Sequence, residues 1–256
     1  MDLLSVSEFQ FDTEEALKTG FYTSGTPGCG KSDVAMYCID ALRKAEAIPL
    51  SNSNRVISGE DIHCIIFDPS QDWMERYPAS HVTTFNIGSV RSYIEGIHLN
   101  GVEIIDCSNL TILQIQELAE LFCRLLYKAQ SEIPKDKRKF YFIVFEEAQT
   151  EFPQGSMRAK KFQNVYRILA QGRNYNIRVG MITQFAATLD KDAMKYARQR
   201  YFGWTSELND VKYVSHFIGE EEAKALKHFK SGEFIYSFPS ENILQKIHID
   251  PYQHNV

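Results

Sequence analysis

A glycine-rich segment near the amino terminus constrains this chain more than any other feature. Residues 24–34 read SGTPGCGKSDV, and the pattern GxxxxGK[ST] is matched from Gly25 to Ser32. A short apolar run (20–24) precedes the segment, and a stretch of helical period (31–47) follows it. A strand, this loop and a helix, in that order, are the context in which the pattern binds phosphate. The sequence therefore predicts a phosphate-binding loop, with a chance match in a glycine-containing turn as the alternative.

The residue types in the loop suit the chemistry of a magnesium-bound triphosphate. Gly28 and Gly30 let backbone N–H groups turn toward phosphate oxygens, and the start of the next helix presents its positive end to the same anion. Lys31 would contact the β and γ phosphates of ATP, and Ser32 would bind Mg²⁺ through its hydroxyl. The Cys29 side chain is assigned no role. The residues expected at the nucleotide are Gly25, Thr26, Pro27, Gly28, Cys29, Gly30, Lys31, Ser32 and Asp33.

Short apolar runs alternate with longer segments of helical period along the rest of the chain. This alternation predicts an α/β fold with a mostly parallel sheet flanked by helices. Residues 231–250 read as two short strands joined by a Pro-containing turn, a β-hairpin that would extend the sheet. Strands are predicted at 20–24, 63–68, 102–106, 140–145, 178–183 and 199–204, and helices at 31–47, 111–131, 157–173 and 207–228. The polar segments 51–61 and 134–139 are predicted to be exposed connections.

Composition and charge exclude several classes of protein. With 256 residues, 44% hydrophobic and 24% charged, the chain is predicted to form one globular domain. A net charge of -5 argues against coating nucleic acid through bulk charge, so a nucleic-acid role must depend on a local site. The five cysteines include no CxxC pair, which fits a reducing cytoplasm. No apolar run approaches the roughly 20 residues that cross a bilayer, so we expect no direct membrane insertion.

Two adjacent acidic residues follow one of the predicted buried strands. Glu146 and Glu147 come directly after the run FYFIVF, at the carboxyl end of the strand, where ligands bind in open parallel sheets. The first carboxylate would hold Mg²⁺, and the second would orient or deprotonate the attacking water. A solvent-facing pair at a strand end is the structural alternative.

The segment 172–184, GRNYNIRVGMITQ, supplies two further candidates. Gln184 ends another apolar strand, where its amide would contact the γ phosphate or the attacking water. Arg173 precedes that strand, and an arginine held at a subunit boundary could reach a neighbour's site and neutralise transition-state charge. By itself, Arg173 is more often a surface ion-pair residue.

With these features in order, the chain resembles the HerA/FtsK superfamily of ring-forming, DNA-pumping P-loop ATPases. IIFDPSQDW (65–73) is similar to the second-strand motif of that superfamily, FIVFEEAQTEF (142–152) to its acidic motif, and 172–184 to the segment with its trans-acting arginine and sensor glutamine. VEIIDCSNLT (102–111) and the segment 188–214 resemble the third strand and the conserved tail. Glu146 departs from the usual Asp, and Asp72 stands where relatives often carry Glu. The roles of Asp68 and Asp72 stay open.

The resemblance implies a fold, an activity and partners. The fold would be of the RecA-like ASCE type, in a single motor domain over 1–256 with a short extension at 1–19. Because only 24 residues precede Gly25, the chain resembles compact viral genome-packaging ATPases, which fill a capsid with double-stranded DNA. A homo-hexamer, capsid or inner-membrane virion proteins as partners, and a location in the host cytoplasm or in the virion are implied. Arg158, Lys160 and Lys161 would then contact DNA phosphates without reading bases, with a solvated helix start as the alternative.

Three rival functions remain open at this point. A monomeric P-loop kinase or nucleotide switch belongs to another class, although no arginine-rich lid segment follows the third strand. A motor of the same type could instead serve phage export, plasmid transfer or DNA repair. A non-hydrolysing assembly factor is the third rival, and the complete catalytic set argues against it.

Overall fold

A nine-stranded sheet forms the centre of the molecule in the computed structural model, which describes residues 9–49, 55–79, 81–84, 89–96, 101–155 and 163–253. The strand order is β11-β10-β9-β1-β8-β7-β4-β6-β5, and β2 pairs with β3 separately. The strands from β9 to β5 are parallel, and β10 and β11 are antiparallel. The strand bounds are β1 Phe21–Ser24, β2 Ile48–Pro49, β3 Val56–Ile57, β4 Ile62–Asp68, β5 His81–Thr84, β6 Val102–Asp106, β7 Phe140–Phe145, β8 Ile177–Thr183, β9 Gln199–Gly203, β10 Glu233–Phe238 and β11 Ile243–His248.

Helices cover both faces of this sheet. On one face, α1, α2 and α3 contribute to a core with Phe21, Ile66 and Phe142, and on the other α5 to α8 pack around Phe67, Phe145 and Met181. No helix in the described part of the chain is both long enough and apolar enough to cross a membrane. The helix bounds are α1 Thr13–Thr19, α2 Lys31–Lys44, α3 Asp72–Arg76, α4 Val90–Gly96, α5 Ile112–Glu132, α6 Gln163–Gln171, α7 Lys191–Tyr196, α8 Leu208–Ile218 and α9 Glu220–Ala225.

Burial on both faces explains the continuous apolar runs in the sequence. Every residue of β1, β4, β7 and β8 is buried. A strand covered on both sides gains from an apolar residue at every position rather than at alternate ones. The predicted fold class is therefore confirmed, including the six strands and the C-terminal hairpin.

Two predicted segments differ from the structure. The helix predicted over 207–228 divides at Gly219, whose φ of 95° ends α8, and α9 is followed by a 3₁₀ turn at Leu226–His228. The connection predicted to be exposed over 51–61 contains β3 and a capped turn at Gly59–Asp61. Arg43 of α2 donates to the carbonyl oxygens of Gly59 and Ile62 at 2.8 and 2.9 Å, so this segment is bonded to α2, while Val56, Glu60 and Asp61 are exposed as predicted.

Candidate functional site

The glycine-rich loop lies at the carboxyl edge of the sheet, between two neighbouring strand ends. It leaves β1 after Ser24 and enters α2 at Lys31. The backbone N–H of Gly25 donates to Thr183 O (3.3 Å) at the end of β8, and that of Thr26 donates to Trp204 O (2.8 Å) after β9. Parallel pairing thus places the loop beside the residues that follow its neighbouring strands.

Two positions in the loop require glycine because of their backbone conformation. Gly28 and Gly30 have φ values of 78° and 100°, in the left-handed region that other residues rarely adopt. A Cβ added at Gly28 would have no heavy atom within 4 Å, so this part of the loop faces open space. Phosphate oxygens can therefore approach the backbone here, with the start of α2 behind it.

A turn from the far end of the chain fixes the loop from behind. Ser231 Oγ donates to Gly28 O at 2.8 Å, and the N–H of Gly232 donates to Cys29 O at 2.9 Å. These contacts satisfy loop carbonyls. The N–H groups of Gly25, Thr26 and Cys29 donate to protein carbonyl oxygens, so a phosphate would have to be bound by the N–H groups later in the loop. The sequence analysis missed this turn because about 200 residues separate it from the loop, and no local pattern marks the contact.

The other loop residues take distinct positions. Lys31 Nζ donates to Thr26 O at 3.2 Å, and Pro27 is exposed at the loop tip. The Cys29 side chain is buried in the core, so only its backbone faces the loop. Asp33 accepts from the N–H of Tyr252 and pairs with Arg76, so its carboxylate is held by protein groups. A contact between Asp33 and a nucleotide would therefore use its backbone.

Ser32 and Glu146 form the pair expected of a magnesium site. Ser32 Oγ donates to Glu146 Oε1 at 3.0 Å, across from the end of β7. Glu146 is 7% exposed, and its Oε2 has no hydrogen-bond partner among the described residues. Burial, together with the charge of Asp68, raises the pKa of Glu146 to about 8. A divalent cation would supply the missing partner and favour the ionised carboxylate.

The donor set fits Mg²⁺ rather than a cation held only by protein ligands. Within the described residues, no group of three or more His, Cys, Asp and Glu side chains is arranged to hold a metal ion. Mg²⁺ commonly takes one or two protein ligands and keeps water and phosphate oxygens as the others. Ser32 and Glu146 are therefore sufficient, provided that ATP supplies phosphate oxygens.

Glu147 is held by two amide side chains. Its backbone has a φ of 60°, which turns its carboxylate away from the line of β7. Gln184 Nε2 donates to one carboxylate oxygen and Gln149 Nε2 to the other, while Thr183 Oγ1 donates to the Gln149 oxygen. The structure thus brings Glu147 and Gln184 together. Gln149 was missed, although it lies within the quoted acidic motif.

The second-strand motif, residues 65–73, contains the start of α3. The carboxylate of Asp68 is fully buried and accepts from the backbone N–H groups of Ser70, Trp73 and Met74 at 3.1 to 3.3 Å. Asp72 accepts from Arg76 at 3.2 Å, one turn further along α3. Asp68 therefore fixes α3 and places its charge near Glu146, which gives it a structural and electrostatic role.

Arg173 lies at the opposite edge of the sheet from the phosphate-binding loop. It belongs to the 3₁₀ turn Gly172–Tyr175, immediately before β8, whereas Gln184 follows the end of that strand. The seven residues of β8 span about 20 Å at 3.3 Å per residue. The structure therefore does not bring Arg173 to the loop of its own chain, and a contact with nucleotide requires another copy. Arg158, Lys160 and Lys161 lie outside the described residues.

Comparison with solved structures identifies the same fold in several proteins. The genome packaging NTPase B204 of Sulfolobus turreted icosahedral virus 2, in complex with AMPPCP, superposes with a TM-score of 0.58 and 16% identity, over 91% of this chain and 97% of B204. VirB4 of Thermoanaerobacter pseudethanolicus gives 0.53 and 13%, over 91% and 89% of the two chains. The bacterial conjugative coupling protein TrwBΔN70 gives 0.64 and 9%, over 99% and 90%.

Comparison by sequence adds no relative to this set. No family model matches the chain, and no curated protein sequence matches it. At identities of 9 to 16%, the structural similarity establishes the fold and leaves the activity to be argued from the site. The chain therefore shares its fold with B204, VirB4 and TrwBΔN70.

Proposed function

We propose that this protein is an ATPase that moves double-stranded DNA, and that it works as a homo-hexameric ring in viral genome packaging. The observation that carries the proposal is the meeting of Lys31, the Ser32–Glu146 pair and the Glu147–Gln184 pair at one edge of the sheet. A phosphate-binding loop alone would fit many enzymes. A second carboxylate, Glu147, held by the amide of Gln184 beside the Ser32–Glu146 pair supports ATP hydrolysis of the kind that drives a motor.

Each of these residues has a distinct part in the proposed hydrolysis. Backbone N–H groups of the loop and Lys31 would bind the β and γ phosphates and fix their orientation. A carboxylate oxygen of Glu147 would accept a proton from the attacking water, and the amide of Gln184 would orient that water. Gln149 would position Glu147, because it bonds the second carboxylate oxygen.

Ser32 and Glu146 would hold Mg²⁺ in this site. When bound, Mg²⁺ neutralises charge on the phosphate oxygens. Because Glu146 is buried and its Oε2 has no partner in the described part of the chain, the cation would stabilise a carboxylate that is otherwise costly to ionise.

The position of Arg173 is an argument for assembly into a ring. Because it lies at the far edge of the sheet from its own loop, we propose that it completes the site of a neighbouring copy and neutralises charge in the transition state. A ring would also bring six copies of each DNA-binding segment to one duplex, which offsets the acidic net charge of the single chain. Contacts from Arg158, Lys160 and Lys161 to DNA remain a prediction.

The choice of DNA task rests on the named structural neighbours. B204 is a genome packaging NTPase, and its superposition covers nearly the full length of both chains, which favours packaging. Packaging would place the protein in the host cytoplasm or the virion. Its docking partners would then be capsid or inner-membrane virion proteins. The conjugative coupling protein favours DNA transfer as a second candidate. Both tasks need the same motor activity.

The proposal is tested by steady-state ATP hydrolysis with and without long linear duplex DNA. We expect stimulation by long duplex, with little stimulation by short single strands, and no activity in the Lys31→Ala variant. A hydrolysis rate that is the same with and without DNA would contradict the DNA motor. The mass in solution with ATP is the companion measurement, since a strictly monomeric active enzyme would favour a kinase or nucleotide switch.

A further inference from the structure

A basic groove lies at the amino ends of the parallel strands, whereas the phosphate-binding loop lies at their carboxyl ends. It has a volume of about 270 Å³ and lies between α1, the end of α6 and the end of α7. No acidic side chain is among the residues that line it in the described part of the chain. The basic residues that line it are Lys18, Arg173, Arg178, Lys195 and Arg198.

Arg178 is the unusual member of this group. It is only 8% exposed, and its guanidinium lies 5.3 Å from the ring centre of Phe140. One terminal nitrogen donates to Ile177 O at 2.7 Å, but Nε has no hydrogen-bond partner among the described residues. Burial, with a smaller contribution from Arg173, lowers the pKa of Arg178 to about 9. Arg173 and Arg178 thus line the same open cavity.

Three basic residues at the rim of the groove form ion pairs with acidic residues. Lys18 pairs with Glu14 at 2.6 Å, Arg198 with Glu15 at 3.3 Å, and Lys195 with Asp192 at 3.1 Å. These pairs involve exposed or partly exposed lysine and arginine side chains, where an ion pair contributes little. Burying a guanidinium with an unsatisfied donor is costly unless an anion completes its hydrogen bonds.

We propose that this groove is a second phosphate-binding site, in which Arg178 is the anchoring cation and Arg173 the second donor. A terminal phosphate group fits because its oxygens accept from a guanidinium fork in two parallel bonds. Free phosphate and the γ phosphate of a nucleotide held by a second copy share this chemistry. The second source rests on the proposed function, in which Arg173 acts in trans, and adds Arg178 to that interaction.

Titration of inorganic phosphate into the full chain tests the site without reference to catalysis. The Lys31→Ala variant is the background, because it weakens the loop as a competing phosphate site. We expect one saturable site that is weakened at least tenfold by a further Arg178→Met substitution. Arg200→Met is the matched control: Arg200 is equally exposed at 8%, but its Nε already donates to Ala197 O at 2.7 Å and it does not line the groove. Affinity that is lost equally in both variants, or no binding at all, would overturn the proposal.

A measurement on the unsubstituted chain guards against variants that fail to fold. Crystals soaked in tungstate, a phosphate analogue visible by anomalous scattering, should show a peak within hydrogen-bonding distance of the Arg178 guanidinium. A peak at the phosphate-binding loop without one in the groove would also reject the second site.

Turnover of the Arg178→Met chain separates the two sources of phosphate. If the phosphate comes from a nucleotide in a second copy, ATP hydrolysis should fall at least tenfold while ATP binding changes less than twofold. Unchanged hydrolysis together with lost phosphate binding would reject the nucleotide as the source. Loss of the proposed DNA motor, by contrast, would show as hydrolysis independent of DNA and would leave the phosphate titration unaffected.

Discussion

The two adjacent glutamates have different surroundings, and this difference suits the separate roles proposed for them. Glu146 is buried beside Ser32 with one oxygen unsatisfied in the described part of the chain, whereas Glu147 turns out of the strand and is bonded by two amides. The first arrangement suits a cation, and the second suits a base that must keep a fixed position. Two residues that are adjacent in sequence can therefore take separate roles, because the backbone φ of 60° at Glu147 changes the direction of the chain.

The Glu147→Gln substitution tests the proposed base. The amide has the same shape and still accepts from Gln184, but it cannot take a proton from water. We expect kcat for ATP hydrolysis to fall by about 10² to 10⁴, with ATP affinity changed by less than a few-fold. Pre-steady-state and equilibrium measurements on the same preparation separate binding from turnover. Activity within threefold of the unsubstituted chain would show that another group acts as the base.

Glu151 predicts a pH dependence of stability. It is 1% exposed, neither carboxylate oxygen has a hydrogen-bond partner among the described residues, and burial raises its pKa well above the ordinary value. The native state therefore keeps a proton that the unfolded chain has lost above about pH 4.3, so this group lowers stability as pH rises, by up to ~1.4 kcal/mol per unit. We expect Glu151→Gln to reduce the loss of unfolding free energy between pH 6 and pH 8.

Urea unfolding at the two pH values measures this effect directly. Glu220→Gln, on the exposed surface of α9, is the control for removing one acidic side chain. If the Glu151→Gln and unsubstituted chains lose the same free energy between pH 6 and pH 8, the buried carboxyl does not carry the proton.

At the scale of elements, the phosphate-binding loop depends on strands and turns that are distant in sequence. Ser231 and Gly232 precede β10, yet they bond the carbonyl groups of Gly28 and Cys29. Because the hairpin of β10 and β11 extends the sheet beyond β9, the turn before β10 lies directly behind the loop. The hairpin thus contributes to the shape of the nucleotide site as well as to the sheet.

The Ser231→Ala variant measures this support. Removing one hydrogen bond to Gly28 O is worth about 0.5 to 1.5 kcal/mol, so we expect ATP affinity to fall by about two- to twelvefold while the fold is retained. Ser215→Ala is the matched control, because that hydroxyl bonds a carbonyl of its own helix and no carbonyl of the loop. Titration of a fluorescent ATP analogue gives both affinities. Equal affinities for the two variants would remove the turn from the site.

Local sequence patterns predicted those elements whose residues are buried throughout. The runs at β4, β7 and β8 were recognised because every position is apolar or nearly so. β5 was missed because HVTT is an edge strand with mostly exposed side chains, so no apolar run marks it. The division between α8 and α9 was missed because the apolar period continues across Gly219.

The candidate site divides in the same way between local and distant contacts. The loop, the acidic pair and Gln184 each follow a strand, so the parallel order of the sheet predicts their meeting. Gln149, Ser231 and Arg178 could not be predicted, because their roles depend on which side chains and carbonyl groups the fold brings to them. Arg173 was predicted from resemblance, and its distance from the loop became visible only with the strand directions known.

At the scale of the whole molecule, Arg173 predicts that one chain is not a complete enzyme. Arg173→Ala should abolish turnover and leave ATP binding intact, and Lys31→Ala should lose the phosphate contact. In a mixture of the two variants, a Lys31→Ala copy can supply Arg173 to the intact loop of an Arg173→Ala copy. We expect hydrolysis to reappear on mixing, in proportion to the number of interfaces between a Lys31→Ala copy and an Arg173→Ala copy. No recovery in a mixture that demonstrably co-assembles would contradict the trans role.

ATP-driven movement along duplex DNA is tested most directly by displacement of a third strand. A labelled oligonucleotide is bound as a triplex at the end of a long linear duplex, and its release is followed after the protein and ATP are added. We predict ATP-dependent release by the unsubstituted chain, with a delay that grows with the distance the protein must travel, and no release by Glu147→Gln. Hydrolysis of ATP without any release would contradict DNA translocation.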